Sequence, residues 1–373
     1  MRVLLVITGL GMGGAEHVVC NLADELAKQG HEVKIAYLLG PVLVSPKNKN
    51  IELINIGVRS IIKAPRACLK LRKVVADFRP DVVHSHMFHS NVLMRLIKMT
   101  VKIPRLISTA HNTNEGGKLR MLAYRYTDFL ADITTNVSQE AVAQFILKKA
   151  VPSNKIGAIA NGIDTNRFKY SADKRAKIRS ELELGTKKML LAVGRLDTQK
   201  DYPNLLSAIS ELKNHRQDFK LFIVGDGPLR SKLQGLLEEL KLSEFVCFLG
   251  IRKDIPDLMS AADLFVLSSA WEGFGLVVAE AMCCKRIGEA MACERLVVAT
   301  DCGGVIEVVG DCGCLVEIKN PVQLADSINY MLNRPIAEIE LMTRSARGRI
   351  VDNYSLTNNV ENYLKIYMRE STL

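Results

Sequence analysis

Short apolar runs recur along the chain, and each is followed by a polar or glycine-containing loop and then by a helical pattern. Runs of this kind, bounded by turn signals, are typical of buried strands. Strands that alternate with helices predict a parallel sheet covered by helices on both faces. In the first half of the chain the predicted strands are Val3–Thr8, His31–Leu39, the run ending at His86, Leu106–Thr109 and Ile156–Ala160.

The same alternation restarts after a charged segment without strand signals, residues 169–188. The strands predicted in this half are Met189–Val193, Phe219–Val224, Val246–Leu249, Leu264–Leu267 and Leu296–Thr300. A length of 373 residues is consistent with two or three domains. We therefore predict an α/β protein with two doubly wound parallel-sheet domains, residues 1–168 and 169–353, that face each other across a cleft.

Net positive charge is confined to the first half. Residues 1–165 contain 22 Lys and Arg against 12 Asp and Glu, whereas residues 166–373 contain 28 of each sign. This asymmetry predicts an anionic partner, and we expect a membrane surface rather than nucleic acid. The most basic stretch, residues 60–79, has the pattern of a basic amphipathic helix that lies on anionic lipid, and Lys118–Arg120 adds to it. The alternative is an ordinary domain helix with a solvated Lys/Arg face.

Membrane spans and secretion are not indicated. No apolar run reaches the ~18 residues of a membrane helix, and no small-residue cleavage site follows the first apolar run. The nine cysteines include no C-x-x-C pair and fit no zinc spacing, so we interpret them as small buried residues in a reducing compartment. We expect a cytoplasmic protein without a metal, associated peripherally with an anionic membrane surface.

The first predicted strand is followed by Gly9, Gly11 and Gly14, which satisfy G-x-G-x-x-G. A dinucleotide site would require an acidic residue at the end of the second strand, and that strand ends in Leu38-Leu39 before Gly40. We therefore reject NAD binding and interpret the loop as a cradle of backbone amides.

The stretch Trp271–Gly304 has the order of an anion site. The run Leu264–Leu267 leads into a loop that contains Glu272, and Gly275 precedes a predicted helix whose free amides favour an anion. Glu272 and Glu280 have seven residues between them. Carboxylates beside an anion site are suited to accept hydrogen bonds from hydroxyl groups, so we predict a nucleotide-sugar site.

Three further groups follow predicted strands. Arg195 and Lys200 share one loop and are suited to straddle a diphosphate, although two surface cations are the commoner arrangement. His111 lies just beyond a strand end, where ligands bind in open α/β sheets, and is our candidate nearest the chemistry. For His84, His86 and His89 we favour hydrogen bonding over metal binding, because no Cys or carboxylate completes the set.

Together these motifs resemble the retaining glycosyltransferases of family 4, whose GT-B architecture has two Rossmann-like domains. The resemblance covers nearly the whole chain. It rests on G-L-G-M-G-G-A-E, S-T-A-H-N, N-G-I-D-T-N-R-F, V-G-R-L-D-T-Q-K, I-V-G-D-G-P-L-R and E-G-F-G-L-V-V-A-E-A-M. It implies that residues 354–373 form a helix that crosses back to the first domain.

The resemblance also implies residue roles. Arg195 and Lys200 would bind the donor diphosphate, Glu272 the sugar hydroxyls and Glu280 the ribose, with His111 near the reacting carbon. The expected donor contacts are Gly13, Gly14, Arg195, Lys200, Glu272, Gly273, Phe274, Gly275, Leu276 and Glu280. No cofactor is implied, since the nucleotide-sugar, expected to be a UDP-sugar, is a substrate. No D-x-D pair occurs, so no metal-bound diphosphate is expected.

Within the family the likeness is to bacterial enzymes that build O-antigen or capsule repeats on undecaprenyl-diphosphate lipid. The expected activity is transfer to such a lipid-linked glycan with retention of configuration and without a protein nucleophile. Two alternatives stay open: transfer to a soluble acceptor, and a nucleotide-sugar-binding protein without activity.

One feature departs from the family. Residues 279–287 and 288–296 match at five of nine positions in register, as a tandem duplication would. Nine residues at ~100° each make two and a half turns, so both copies cannot bury the same side of one helix. We expect the first copy to keep Glu280 on the helix and the second, with Glu289, to form an extra turn.

Overall fold

The computed structural model describes residues 1–58, 64–113, 115–284 and 296–370. These residues form two compact units, of which the first combines Met1–Gly162 with the segment from Leu356 onward and the second is Ile163–Ser355. The sequence placed the boundaries after residue 168 and before residue 354. Residues 163–168 lie with the second unit, because Ile163 bridges to Ser355 and Arg347 donates a hydrogen bond to the carbonyl of Phe168.

The first unit is built on a seven-stranded parallel sheet. Its strands are β1 (Arg2–Ile7), β2 (Glu32–Tyr37), β3 (Glu52–Asn55), β4 (Val82–His86), β5 (Leu106–Thr109), β6 (Ile133–Asn136) and β7 (Ile156–Ala158). The order β3-β2-β1-β4-β5-β6-β7 reverses between β1 and β4. Ligands in such sheets bind beyond the carboxyl ends of the strands at this reversal.

Five helices of the first unit are α1 (Gly14–Lys28), α2 (Ala64–Phe78), α3 (Phe88–Lys98), α4 (Lys118–Thr127) and α5 (Gln139–Leu147). A 3-10 turn, Asp128–Leu130, continues directly from α4. Helix α1 packs its Val19, Leu22 and Leu26 into the same core as Val3 and Leu5 of β1. Alternate residues of β1, Leu4 and Val6, enter the core on the other face. The sheet is therefore covered on both faces, as a parallel sheet requires.

The second unit contains a six-stranded parallel sheet with the order β10-β9-β8-β11-β12-β13. Its strands are β8 (Lys188–Val193), β9 (Phe219–Val224), β10 (Val246–Gly250), β11 (Leu264–Leu267), β12 (Leu296–Thr300) and β13 (Cys314–Val316). The helices are α6 (Ala172–Glu181), α7 (Tyr202–Leu212), α8 (Arg230–Glu239), α9 (Ile255–Ala261), α10 (Leu276–Cys283), α11 (Val305–Val309), α12 (Pro321–Leu332) and α13 (Ile336–Tyr354). The reversal of order falls between β8 and β11, and the loops that follow these strands contain Arg195, Lys200 and Glu272.

The last helix, α14 (Leu356–Tyr367), returns to the first unit. Its Val360, Tyr363 and Ile366 belong to the core that also contains β1 and α1. The Oη atom of Tyr367 lies 2.7 Å from Nδ1 of His84 at the end of β4. The predicted crossing back of the carboxyl-terminal helix is confirmed.

Helix α2 is the described part of the basic stretch 60–79, whose residues 59–63 lie outside the described ranges. Its Ala67, Leu71, Val75 and Phe78 are buried in the core of the first unit. Only Leu69 is a large apolar residue of α2 that is strongly exposed, at 64%. The apolar face expected to lie on lipid is therefore used within the fold, and the described helix matches the ordinary-helix alternative.

The two predicted parallel-sheet domains are confirmed, with three strands that the sequence did not indicate. Strand β6 has three buried polar residues, Thr134, Thr135 and Asn136, and so lacks an apolar run. Strand β3 lies at the edge of its sheet with none of its residues buried, and β13 has three residues. Among the described helices, none has the length and apolar content that crossing a membrane requires.

Candidate active site

Loops from four strand ends meet at the carboxyl edge of the second sheet. Gly225 has φ +134°, and a Cβ atom there would collide with the carbonyl oxygen of Gly194. In the same way a Cβ on Gly303 (φ +59°) would collide with the carbonyl oxygen of Glu272. Glycine is required where backbones approach this closely. The loops after β8, β9, β11 and β12 are thereby brought into contact in pairs.

Glu272 is buried, with 7% of the residue exposed, and its carboxylate accepts three hydrogen bonds. Nζ of Lys200 lies 2.5 Å from Oε1, Oγ of Ser269 lies 2.7 Å from Oε1, and Nε2 of Gln199 lies 3.3 Å from Oε2. Two of the predicted residues, Glu272 and Lys200, are thus joined in an ion pair. Sequence reasoning missed Ser269 and Gln199, although Gln199 stands directly before Lys200 in a motif that had been noted.

The other predicted cation of this loop is placed differently. The Arg195 side chain is 71% exposed, and its nearest ion-pair contact places Nε 4.0 Å from Oδ2 of Asp197. The Lys200 side chain is only 16% exposed. Arg195 and Lys200 are therefore not preorganised as a pair of cations, because Lys200 is held by Glu272 and Arg195 extends into solvent.

Glu280 lies on α10, whereas Glu272 precedes this helix in the loop after β11. Desolvation raises the pKa of its carboxyl group to about 7, against the opposing charges of Arg167 and Lys200. The carboxyl group of Glu280 therefore keeps its proton to a higher pH than an exposed glutamate does. The charge of Lys200 acts on the carboxyl group of Glu280, and its Nζ atom is ion-paired with Glu272. The two glutamates predicted to bind the sugar and the ribose therefore belong to one cluster. Arg167 was missed, although it belongs to the N-R-F end of a recognised motif.

The amino end of α10 faces this cluster through the loop that contains Gly273 and Phe274. Gly275, the residue before the helix, has φ +84°, and no side chain of the described residues caps it. Phe274 is buried against the ring of Tyr354, with centroids 5.4 Å apart, which fixes the loop. The helix begins at Leu276, so amides without intrahelical partners point out of its first turn toward any anion bound there.

His111 in the first unit lies just beyond β5, with Ala110 between them. Its Nε2 lies 3.2 Å from Nδ1 of His86, and its backbone N–H donates to Oε1 of Glu115 at 3.1 Å. Burial lowers the pKa of His111 to about 4, so the imidazole is neutral at physiological pH. His111 is thus a held, uncharged ring at a strand end. Glu115 was missed by sequence reasoning.

His84 and His86 occupy the end of β4 and take part in hydrogen bonding. His84 contacts Tyr367 through Nδ1 and Oγ1 of Thr109 through Nε2, the latter at 2.6 Å. Burial holds the pKa values of both rings well below their usual range. Within the described ranges, no three His, Cys, Asp or Glu side chains form a metal-binding group.

The glycine loop after β1 holds a carboxylate of its own. Gly13 precedes α1 in an extended conformation, and a Cβ on Gly13 would collide with the carboxylate of Glu16. Burial raises the pKa of Glu16, and a hydrogen bond from its own backbone N–H opposes this rise. The acidic group occupies the helix amino end that was predicted to approach a diphosphate. Contact of Gly13 and Gly14 with the donor stays a prediction.

The duplicated segment falls largely outside the described residues, since 285–295 are not described. Helix α10 ends at Cys283 and β12 begins at Leu296. The start of the first copy is therefore helical and carries Glu280, as expected. The second copy and Glu289 lie outside the described residues.

Family profiles cover most of the chain. A glycosyltransferase family 4 profile matches residues 12–167, and profiles described as glycosyl transferases group 1 match residues 173–287 and 286–334. The chain is similar to the UDP-Gal:alpha-D-GlcNAc-diphosphoundecaprenol alpha-1,3-galactosyltransferase of Escherichia coli, with 26% identity over 83% of this chain and 80% of that one. It is also similar to the N-acetyl-alpha-D-glucosaminyl L-malate synthase of Bacillus anthracis, with 25% identity over 95% of this chain and 94% of that one.

Among solved structures, Anabaena Alr3699/HepE in complex with UDP-glucose has the same fold. The TM-score is 0.86 at 20% identity, and the match covers 99% of this chain and 100% of that one. The family profiles, the relatives and the fold agree. The chain therefore belongs to the group 1 and family 4 glycosyltransferases and is a glycosyltransferase of GT-B fold.

Proposed function

We propose that this glycosyltransferase moves a sugar from a UDP-sugar to a lipid-diphosphate-linked glycan, with retention of configuration, in the synthesis of a bacterial surface polysaccharide. The cluster of Lys200, Glu272 and Glu280 beside the amino end of α10 carries this proposal. It combines fixed positive charge for a diphosphate with carboxyl groups for sugar and ribose hydroxyls.

In the proposed reaction the bond between C1 of the sugar and the diphosphate oxygen breaks, and a bond from C1 to the acceptor oxygen forms on the same face. The acceptor hydroxyl proton passes to the departing diphosphate. Positive charge aimed at the developing anion is usually the largest single contribution to catalysis. Lys200 and the α10 amides supply that charge, and the exposed Arg195 is free to close on the diphosphate. Because attack on the face from which the diphosphate departs preserves the configuration at C1, no protein nucleophile is required.

We infer that the reaction needs no metal ion, because these cations and amides meet the leaving diphosphate and the chain has no D-x-D pair. Transfer by the purified protein is expected to continue in EDTA at an unchanged rate. Loss of activity in EDTA that Mg²⁺ restores would contradict this inference.

The lipid-linked acceptor is supported by the E. coli relative, whose name specifies a diphosphoundecaprenol acceptor. The excess of basic residues in the first half suits such an anionic, membrane-embedded molecule. We place the protein at the cytoplasmic face of the inner membrane on these grounds. The soluble-acceptor alternative has its own support, since the B. anthracis relative is named for a product with L-malate.

The decisive experiment incubates the full-length protein with a panel of nucleotide-sugars and either a lipid-diphosphate-linked sugar or small hydroxy acids. Release of UDP and a mass increase of the lipid by one sugar are expected, with NMR showing the donor's anomeric configuration in the product. Transfer only to a small soluble acceptor would replace the proposal with the alternative. Binding of a nucleotide-sugar without release of the nucleotide would indicate a binding protein.

A further inference from the structure

Helix α4 is apolar on two opposite sides. Met121 and Tyr124 face the core, with 5% and 0% of their surface exposed. A second set lies in solvent, and it consists of Leu119 (82%), Leu122 (42%), Tyr126 (71%) and, in the turn that continues the helix, Phe129 (71%). We call these four residues the α4 stripe. Their spacing of three, four and three residues places them along one face of the helix.

Single exposed apolar residues are normal on a protein surface, but an aligned set of large ones marks an interaction site. Leucine and phenylalanine on one helix face, with an amphipathic tyrosine among them, are the side chains that enter the boundary between lipid headgroups and acyl chains. Met121 and Tyr124 belong to the hydrophobic core and anchor α4 there. The exposed residues of the α4 stripe are therefore not needed to hold this helix in the fold.

The charges beside the α4 stripe have one sign. Lys118 and Arg125 are exposed and lie next to the stripe around the helix, and α4 contains no Asp or Glu. The nearby carboxylate of Asp128 is buried and paired with Arg95, with 3.3 Å between Nη2 and Oδ1. Arg120 turns away and donates to the carbonyl of Glu115 at 2.8 Å. An apolar strip bordered by cations is complementary to an anionic bilayer.

We propose that the α4 stripe docks the first unit on an anionic lipid bilayer, with its apolar side chains in the interfacial layer and Lys118 and Arg125 on lipid phosphates. This rests on the proposed function, in which the acceptor is held in the membrane. A second copy of the chain is the less suitable occupant, because a symmetric contact would bring the cations of the two copies together. Helix α2 is excluded as the main surface in its described part, since its apolar face is in the core.

The test is co-sedimentation of the full-length protein with vesicles of phosphatidylcholine, with or without phosphatidylglycerol. The double variant Leu119→Gln/Tyr126→Gln is expected to partition at least about tenfold more weakly, since two large apolar groups no longer leave water. The matched control is Val322→Gln/Leu341→Gln, which changes two residues of the second unit that are 55% and 70% exposed. It is expected to bind like the wild type, and Lys118→Gln/Arg125→Gln is expected to lose the preference for phosphatidylglycerol.

Several outcomes would overturn the docking surface. One is that the wild-type protein does not co-sediment with anionic vesicles. Another is that vesicle binding is weakened equally in the stripe variant and in its control. A change of oligomeric state in the stripe variant with unchanged vesicle binding would assign the surface to a second copy instead.

A parallel transfer assay separates this inference from the proposed function. The stripe variant is expected to transfer normally to a water-soluble, short-chain diphosphate acceptor and at least about tenfold more slowly to an acceptor embedded in vesicles, in line with its weaker partitioning. Wild-type turnover without vesicle binding would remove the docking surface and leave the function standing. Vesicle binding without turnover on any donor would count against the function and leave the surface standing.

Discussion

Nζ of Lys200 lies 2.5 Å from Oε1 of Glu272, although 72 positions separate the two residues in the chain. The lysine comes from the loop after β8 and the glutamate from the loop after β11, which are adjacent strands at the point where the sheet order reverses. The pair therefore joins a cation suited to a leaving diphosphate with a carboxylate suited to sugar hydroxyls. It also means that neither side chain can be removed without affecting the other.

Replacing Lys200 by Met is expected to lower kcat by roughly a hundredfold to a thousandfold, the range for losing one group that stabilises a developing anion. Steady-state release of UDP measures this. The matched control is Lys232→Met on the exposed side of α8, which is expected to keep wild-type kcat. Wild-type kcat in Lys200→Met would remove Lys200 from the catalytic role.

The same variant also leaves Glu272 with one partner fewer in a buried position. Unfolding of Lys200→Met is therefore expected to require roughly 1–3 kcal/mol less than that of the wild type. The double variant Lys200→Met/Glu272→Gln is expected to recover part of this loss without recovering activity. Denaturant unfolding of the three proteins tests the coupling.

Glu280 predicts a pH dependence of stability. Burial raises the pKa of its carboxyl group from near 4.5 to about 7, so the folded protein keeps a proton that the unfolded chain releases. Stability contributed by this site is complete below pH 4.5, falls as the pH rises toward 7 and then levels off. Glu280→Gln is expected to remove that fall. Melting temperatures of both proteins between pH 5 and pH 8 measure it, and parallel curves would contradict the assignment.

The duplicated segment predicts a difference between two glutamates at equivalent positions of the repeat. Glu280→Ala is expected to abolish donor binding, whereas Glu289→Ala is expected to leave it unchanged, because the described helix α10 carries only Glu280. Thermal shift with UDP and UDP-sugars measures binding, since a ligand of the folded state raises the Tm. Equal loss in both variants would show that the two copies had been assigned wrongly.

The hydrogen bond between Tyr367 and His84 is expected to contribute to the free energy that holds α14 on the first unit. Tyr367→Phe leaves Nδ1 of the buried His84 without its partner on α14, which is expected to cost roughly 1–3 kcal/mol. The control Tyr330→Phe removes a hydrogen bond to Arg334 at an exposed site and is expected to change stability little. Denaturant unfolding compares the two. A similar small effect in both would mean that the His84 contact does not anchor α14.

Much of the architecture could be predicted because its signals are local. Apolar runs such as Leu264–Leu267 and Phe219–Val224 were located to the residue, since a central parallel strand is buried on both faces. Strand β6 was not predicted, because its buried residues are polar. Their hydrogen-bond partners come from distant segments that only the fold brings close, such as Arg95 for Thr134. Glu272 and Glu280 were predicted from the stretch that follows β11, but Gln199, Ser269 and Arg167 were not.

By itself, the sequence determined the two parallel-sheet domains, the strand ends that carry Lys200, Glu272 and His111, and the family. These depend on residue patterns within single segments. Only the tertiary structure decided that Lys200 pairs with Glu272 while Arg195 stays in solvent, that the apolar face of α2 is buried, and that the α4 stripe is exposed. Each of these depends on which distant segments pack together, and burial and pairing are properties of that packing rather than of any one segment.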